Sequence, residues 1–184
     1  MLGVRLFVAV DLPPEVVDLV AGLIRPELSS MRWTTPEQWH VTVRFFGEVS
    51  SSELEGSDGL LAALGTVPDA LKAAGVDRVE AAMGPAAAWF PGRQVLQVPV
   101  DGLDELAAAV AMATEAWGEP EQGFRGHLTL ARVRARAKGP ASLAGVALVS
   151  SWVVPELVLY SSALGPGGSR YTALHRVTLP GGGS

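Results

Sequence analysis

The amino-acid sequence predicts an α+β fold of two pseudo-symmetric lobes, each an antiparallel sheet with flanking helices, facing each other across a central cleft. Three observations predict it. Stretches in which apolar residues alternate, the period of a strand, interleave with stretches of helical spacing along the 184 residues. A four-residue phrase, His-apolar-Thr-apolar, stands at His40–Val43 and again at His127–Leu130, nearly half a chain apart. In each half the phrase follows a helical segment and precedes a helical or irregular one, a weak internal duplication. Residues 1–180 are expected to form a single two-lobed domain, with Gly181-Gly182-Gly183-Ser184 as a flexible tail.

The elements follow in order. Val4 to Leu12 (VRLFVAVDL) reads as a strand running into Pro13-Pro14, which suits the first turn of a helix. Val16, Leu19, Val20, Leu23 and Ile24 then fall at helical spacing, and Pro26 should stop that helix near Arg25. The first motif strand spans about Trp39 to Gly47. Ser51 or Ser52 can cap a second helix through Leu64, with Glu53 and Glu55 in its favourable first turn. A further helical piece is expected around Pro68 to Ala74, then strands at Val76 to Met83 and Val95 to Val100. Asp101 or Asp104 starts another helix, which Gly118 and Pro120 stop. The second motif strand covers His127 to Arg134, and a short helix is placed at Pro140 to Gly145. Glu156 to Ser162 and Tyr171 to Leu179 form a closing hairpin around Gly165-Pro166-Gly167-Gly168.

Composition narrows the function. With 48% hydrophobic and 18% charged residues the chain is globular and not disordered. The absence of cysteine rules out disulfides and thiolate metal sites and suits the cytoplasm. No basic-then-apolar leader opens the sequence and no apolar run approaches the roughly 18 residues of a membrane span, so no membrane partner is expected. A net charge of −5 argues against a protein that coats long nucleic acid, which needs a broad basic face. It suits a site gripping one terminal or small phosphate, in a protein expected to act as a monomer.

The repeated phrase carries the chemistry. Side chains two apart on a strand share a face, so His40 with Thr42, and His127 with Thr129, point one way while Val41, Val43, Leu128 and Leu130 enter the core. The chain has three histidines and eight threonines, so the chance of Thr two places after a given His is roughly 4%. Two hits in three are therefore not accidental. Two imidazoles and two hydroxyls around one cleft equip it for acid–base chemistry on an anionic group, with no metal or cofactor called for. Three histidines without cysteine make no structural zinc site, and no serine-elbow, P-loop or zincin motif is present.

These residues resemble the two-histidine phosphoesterase superfamily, and more narrowly the bacterial and archaeal RNA 2′,3′-cyclic phosphodiesterases, also called 2′-5′ RNA ligases. The likeness covers nearly the whole chain: RLFVAVDLPPE at the start, RW-x-x-PE-x-x-HVTVRFFGEV, F-x-GHLTLARV, and LYSSALGPGGSRYTAL near the end. Gly126 departs from it, since relatives usually carry proline there, and so does the alanine-rich GPAAAWFPGR segment. The resemblance implies hydrolysis of RNA-terminal or nucleotide 2′,3′-cyclic phosphate to a 2′-phosphomonoester, with His40 as proton donor and His127 as proton acceptor. It also implies 2′-5′ joining as the reverse reaction, and Arg125 and Tyr171 match positions that relatives tend to use. A non-catalytic module that binds nucleotides or RNA ends is the competing class, but binding alone needs no matched acid and base.

Secondary candidates follow from parity. Thr42 and Thr129 would donate to non-bridging phosphate oxygens, with ordinary strand propensity as their alternative role. Arg44 lies two after Thr42, so strict alternation aims it at the phosphate; the wet end of a strand is the alternative. Phe7 could stack a nucleobase or simply belong to the core. Arg132 falls on the face of Leu128 and Leu130, opposite His127, and only a bulge or the strand's end would let it turn into the site. Arg125, Arg132, Arg134, Arg136 and Lys138 form a basic row that reads equally as a solvated edge.

Overall fold

Alternating apolar residues pair the strand-forming segments into one large antiparallel sheet whose covered face packs on short helices. A computed structural model describes residues 3–118, 123–134, 137–165 and 168–183. Its strands are β1 (Val4–Asp11), β2 (Met31–Trp33), β3 (His40–Val49), β4 (Glu80–Met83), β5 (Ala88–Trp89), β6 (Val95–Asp101), β7 (His127–Val133), β8 (Ser150–Val153), β9 (Glu156–Gly165) and β10 (Gly168–Thr178). Its helices are α1 (Pro14–Ala21), α2 (Ser51–Leu54), α3 (Leu60–Gly65), α4 (Val67–Ala73) and α5 (Asp104–Ala113). The strand order is β10-β9-β1-β3-β7-β6-β4-β8, with β2 on β7 and β5 on β6. The expected α+β architecture is therefore present. None of the described helices is long and apolar enough to cross a membrane.

The two halves are joined edge to edge. β10-β9-β1-β3 forms one and β7-β6-β4-β8 the other, and they meet where Val41 of β3 pairs with Leu128 of β7. Both of those side chains are buried in the core. Each motif strand thus lies at the inner edge of its own half, and the cleft runs over their junction.

Helix limits differ from the apolar spacing where glycines intervene. α1 begins on Pro14, buries Val16 and Val20, and stops at Gly22, which leaves Ile24 almost fully exposed. The expected helix through Leu64 is divided: Ser50, not Ser51 or Ser52, caps α2 by accepting from the Glu53 amide, and Gly56 and Gly59 separate α2 from α3. Pro140–Gly145 holds only a 3₁₀ turn at Ala141–Leu143. The glycine tail is not free at its start. The Gly182 amide donates to the Leu179 carbonyl at 3.0 Å, and added Cβ atoms at Gly181 and Gly182 would overlap Arg78 and Pro155.

Both motif strands carry a bulge three residues after the histidine. On β3 the register passes from Ala9↔Thr42 to Val8↔Arg44, skipping Val43; on β7 it passes from Gln97↔Thr129 to Leu96↔Ala131, skipping Leu130. A bulge reverses the faces of everything beyond it. Arg44 accordingly turns into the protein and is only 6% exposed. Its Nη1 donates to the Ala111 carbonyl (3.1 Å) and to Thr114 Oγ1 (2.8 Å), and Nη2 donates to the Gly118 carbonyl. The expected phosphate-facing Arg44 is corrected: it satisfies carbonyls at the C-terminal end of α5, where a cation is favoured. Removing it leaves those buried acceptors unpaired. Arg44→Met should lower stability by about 2–4 kcal/mol in urea unfolding, and a change below about 0.5 kcal/mol would show that this contact holds nothing.

Candidate active site

Antiparallel pairing at Val41↔Leu128 sets the motif residues side by side on the cleft face, His40 beside Thr129 and Thr42 beside His127. His40, Thr42, His127 and Thr129 line one hollow of about 610 Å³, together with Arg5, Arg32, Phe45, Arg132 and Tyr171. Among the described residues three arginines and no carboxylate line it, in a chain whose net charge is −5. Such a wall attracts an anion and not a metal cation. Among the described residues no three or more His, Cys, Asp or Glu side chains converge as metal ligands.

Each imidazole is oriented by the backbone two residues before it. The Arg125 carbonyl lies 2.9 Å from His127 Nδ1, so a proton on Nδ1 is held there and Nε2 is left for the cleft. The His40 ring is likewise bonded to the Gln38 backbone. Phe90 meets the His127 ring edge-on at 4.9 Å. His40 is boxed more tightly, with Tyr171 edge-on at 4.9 Å and Phe7 at 5.0 Å. Burial pulls the His40 pKa down to about 4, against Asp11 and the Gln38 backbone, which raise it; the charges of His127 and Arg132 lower it further. Asp11 is held in place by the Tyr160 hydroxyl at 2.6 Å and by Arg176 at 3.4 Å.

The structure gathers most of the predicted residues. Arg132 reaches the cleft because of the β7 bulge, one of the two ways its parity left open. Tyr171 lines the cleft as well. Phe7 is corrected: only 1% exposed, it lies beneath His40, Phe45, Tyr160 and Tyr171, so it forms the floor and has no free face for a base. The Arg125 side chain lines a neighbouring hollow, and only its carbonyl serves the histidine. Arg134 and Lys138 are exposed away from the cleft, while Arg136 lies outside the described residues. Gly126 is explained by space: an added Cβ would overlap the Val100 carbonyl, while the Gly126 carbonyl accepts from the Val100 amide at 2.9 Å.

Sequence reasoning missed Phe45, which is 62% exposed over the cleft, and also Arg5, Arg32 and Gln38. A signal for Phe45 existed. It stands five residues after His40 as Arg132 stands five after His127, so aligning the two motifs pairs them.

No family model matches the chain. It is 31% identical to the RNA 2′,3′-cyclic phosphodiesterase of Thermus thermophilus, over 96% of this chain and 91% of that one. It is 30% identical to the Escherichia coli protein of the same name, over 95% and 96%. Among solved structures, TT0787 of Thermus thermophilus superposes with a TM-score of 0.74 at 28% identity, over 96% of this chain and 98% of that one. Escherichia coli LigT complexed with NADP⁺ does so with a TM-score of 0.71 at 25% identity, over 96% and 98%.

The buried imidazole makes a measurable claim. By NMR, His40 should titrate with a midpoint near pH 4, moving up when inorganic phosphate is added and further down in Asp11→Asn. Because the folded pKa lies below the unfolded value of about 6.5, the unfolded chain takes up this proton first. The contribution to stability is complete above about pH 6.5 and falls as pH drops toward 4, by up to about 3 kcal/mol. His40→Gln should flatten that slope. A His40 midpoint above pH 6 would mean the ring is solvated.

Proposed function

The chain belongs to the RNA 2′,3′-cyclic phosphodiesterases of the two-histidine phosphoesterase superfamily and hydrolyses cyclic phosphodiesters, and we infer that His40 and His127 carry the reaction as an acid–base pair, leaving a 2′-phosphomonoester. The observation that supports this reading is the pairing of His40 with Thr129 and of Thr42 with His127 over an arginine-lined cleft. The cyclic phosphate sits between the threonines, whose hydroxyls donate to its two non-bridging oxygens. His127 accepts the proton of the attacking water through Nε2. His40 donates a proton to the departing 3′-oxygen, and the phosphorus keeps its bond to the 2′-oxygen.

His40 enters this cycle from a neutral resting state. Seating an anion beside it favours the protonated ring, the form that can donate. Arg132 adds positive charge near the phosphate, and the exposed Phe45 ring offers a stacking face to the base. Phe7 and Tyr171 fix the His40 ring from below and from the side. The NADP⁺ complex of LigT supports a nucleotide as the occupant. RNA ends or small nucleotides are its substrates, handled by a cytoplasmic monomer, and the chemistry requires no metal ion.

General acid–base catalysis contributes roughly 10²- to 10⁴-fold, so His40→Ala and His127→Ala should each lower turnover of a 2′,3′-cyclic nucleotide by about that factor. The double variant should lose less than the product of the two, because the pair acts as a unit. Near-normal turnover in either single variant would refute the pair.

Product identity checks the direction of opening. In excess chelator, the reaction should yield the 2′-phosphomonoester alone, resolved from its 3′ isomer by chromatography. A dominant 3′-phosphate would reverse the leaving oxygen, and loss of activity on chelation would move the chemistry to a metal.

A further inference from the structure

One hydroxyl braces β7 at its bulge. Thr34, only 8% exposed, stands in the RW-x-x-PE stretch just past β2. Its amide donates to the Leu130 carbonyl at 2.9 Å. Its Oγ1 lies 2.8 Å from the Thr129 carbonyl and 2.9 Å from that of Leu130. Successive carbonyls of an unbroken strand point to opposite edges, so a single hydroxyl reaches both only where the strand bulges. Leu130 is the residue that the pairing with β6 skips. A hydroxyl has one proton to give. With the Leu130 carbonyl already met by the Thr34 amide, that proton goes to the Thr129 carbonyl.

The same oxygen also accepts. The Trp39 indole is 5% exposed, and its Nε1 donates to Thr34 Oγ1 at 2.9 Å. An oxygen that receives this bond turns its own proton toward the carbonyls. Trp39 directly precedes His40, so the path from Trp39 through Thr34 to Thr129 crosses from one motif strand to the other. Thr34 borders the cleft, but these bonds engage its hydroxyl and turn it away from a ligand.

We propose that the Thr34 hydroxyl is the positioning group that holds the β7 bulge and so delivers Arg132 to the substrate phosphate. The proposal rests on the acid–base reading above, since Arg132 serves the phosphate on which the histidines act. A regular strand would put Arg132 opposite His127, and the bulge that Thr34 closes reverses it. His127 and Thr129 precede the bulge, so relaxing it withdraws the guanidinium and leaves the imidazole in place. Loss of the hydroxyl therefore weakens the grip on the anion more than it slows proton transfer.

Thr34→Val keeps the shape and the amide and removes only the hydroxyl. It should raise KM for a 2′,3′-cyclic mononucleotide about tenfold, with kcat within about threefold. Thr34→Ser, which restores the hydroxyl, should bring KM back to within about twofold of the unaltered protein. Arg132→Gln should raise KM by a similar factor. Adding Thr34→Val to it should raise KM no further, because both act through one guanidinium. Multiplied effects in the double variant, an unchanged KM in Thr34→Val or Arg132→Gln, or a serine that fails to restore binding each overturn the proposal and leave the hydrolytic reading standing. If Thr34→Val does not fold, Trp39→Phe removes the donor that orients the hydroxyl and should raise KM severalfold. An unchanged KM there overturns the proposal as well. An unaltered protein that ignores the cyclic mononucleotide refutes the acid–base reading and this inference with it.

Discussion

The pairing of Val41 with Leu128 joins the two halves of the sheet, and the positions of both histidines follow from it. Each of these residues follows a motif histidine, and each is buried in the core. Because antiparallel neighbours face the same side, locking this pair sets four polar side chains in a square on the other face. A slip of one residue would send those side chains into the core and the valine and leucine into water. The hydrophobic core thus fixes the register, and the register aligns the two histidines and two threonines. Their arrangement needs no separate scaffold.

The two bulges then differentiate a near-symmetric site. Position +5 from each histidine turns to the cleft; it is Phe45 on one strand and Arg132 on the other. Position +4 turns inward, as Arg44 beneath α5 and as the fully buried Ala131. The surroundings of the two imidazoles are also unequal. His40 is enclosed by aromatic rings and loses hydration, while His127 stands between two hollows. Two copies of one phrase can therefore hold opposite roles, because environment and not residue type sets the protonation state.

The fold class, the paired strands and the His-Thr square were legible in the sequence because they depend on local periodicity and on a repeated phrase. Arg44 and Arg132 were not, since parity fails beyond a bulge, and nothing local in VTVRFF or LTLARV marks the extra residue. Phe7 was ambiguous for another reason: a phenylalanine on a strand beside a cleft can be wall or floor, and only the packing of Tyr160 and Tyr171 decides. The short strands β2, β5 and β8 were invisible because each is held by its neighbours more than by its own pattern. Arg32 of β2 and the Phe90 that follows β5 went unseen for the same reason.

The arginines among the described residues of the cleft wall also act on the molecule that leaves. A cyclic phosphodiester carries one negative charge, whereas the monoester formed from it carries closer to two near neutral pH. Arg5 and Arg132 therefore attract the product more strongly than the substrate, and among the described residues of the lining no carboxylate opposes them. As pH rises and the second charge fills in, departure of the monoester is the passage that these charges slow. Salt, which screens such exposed charges, would hasten that departure.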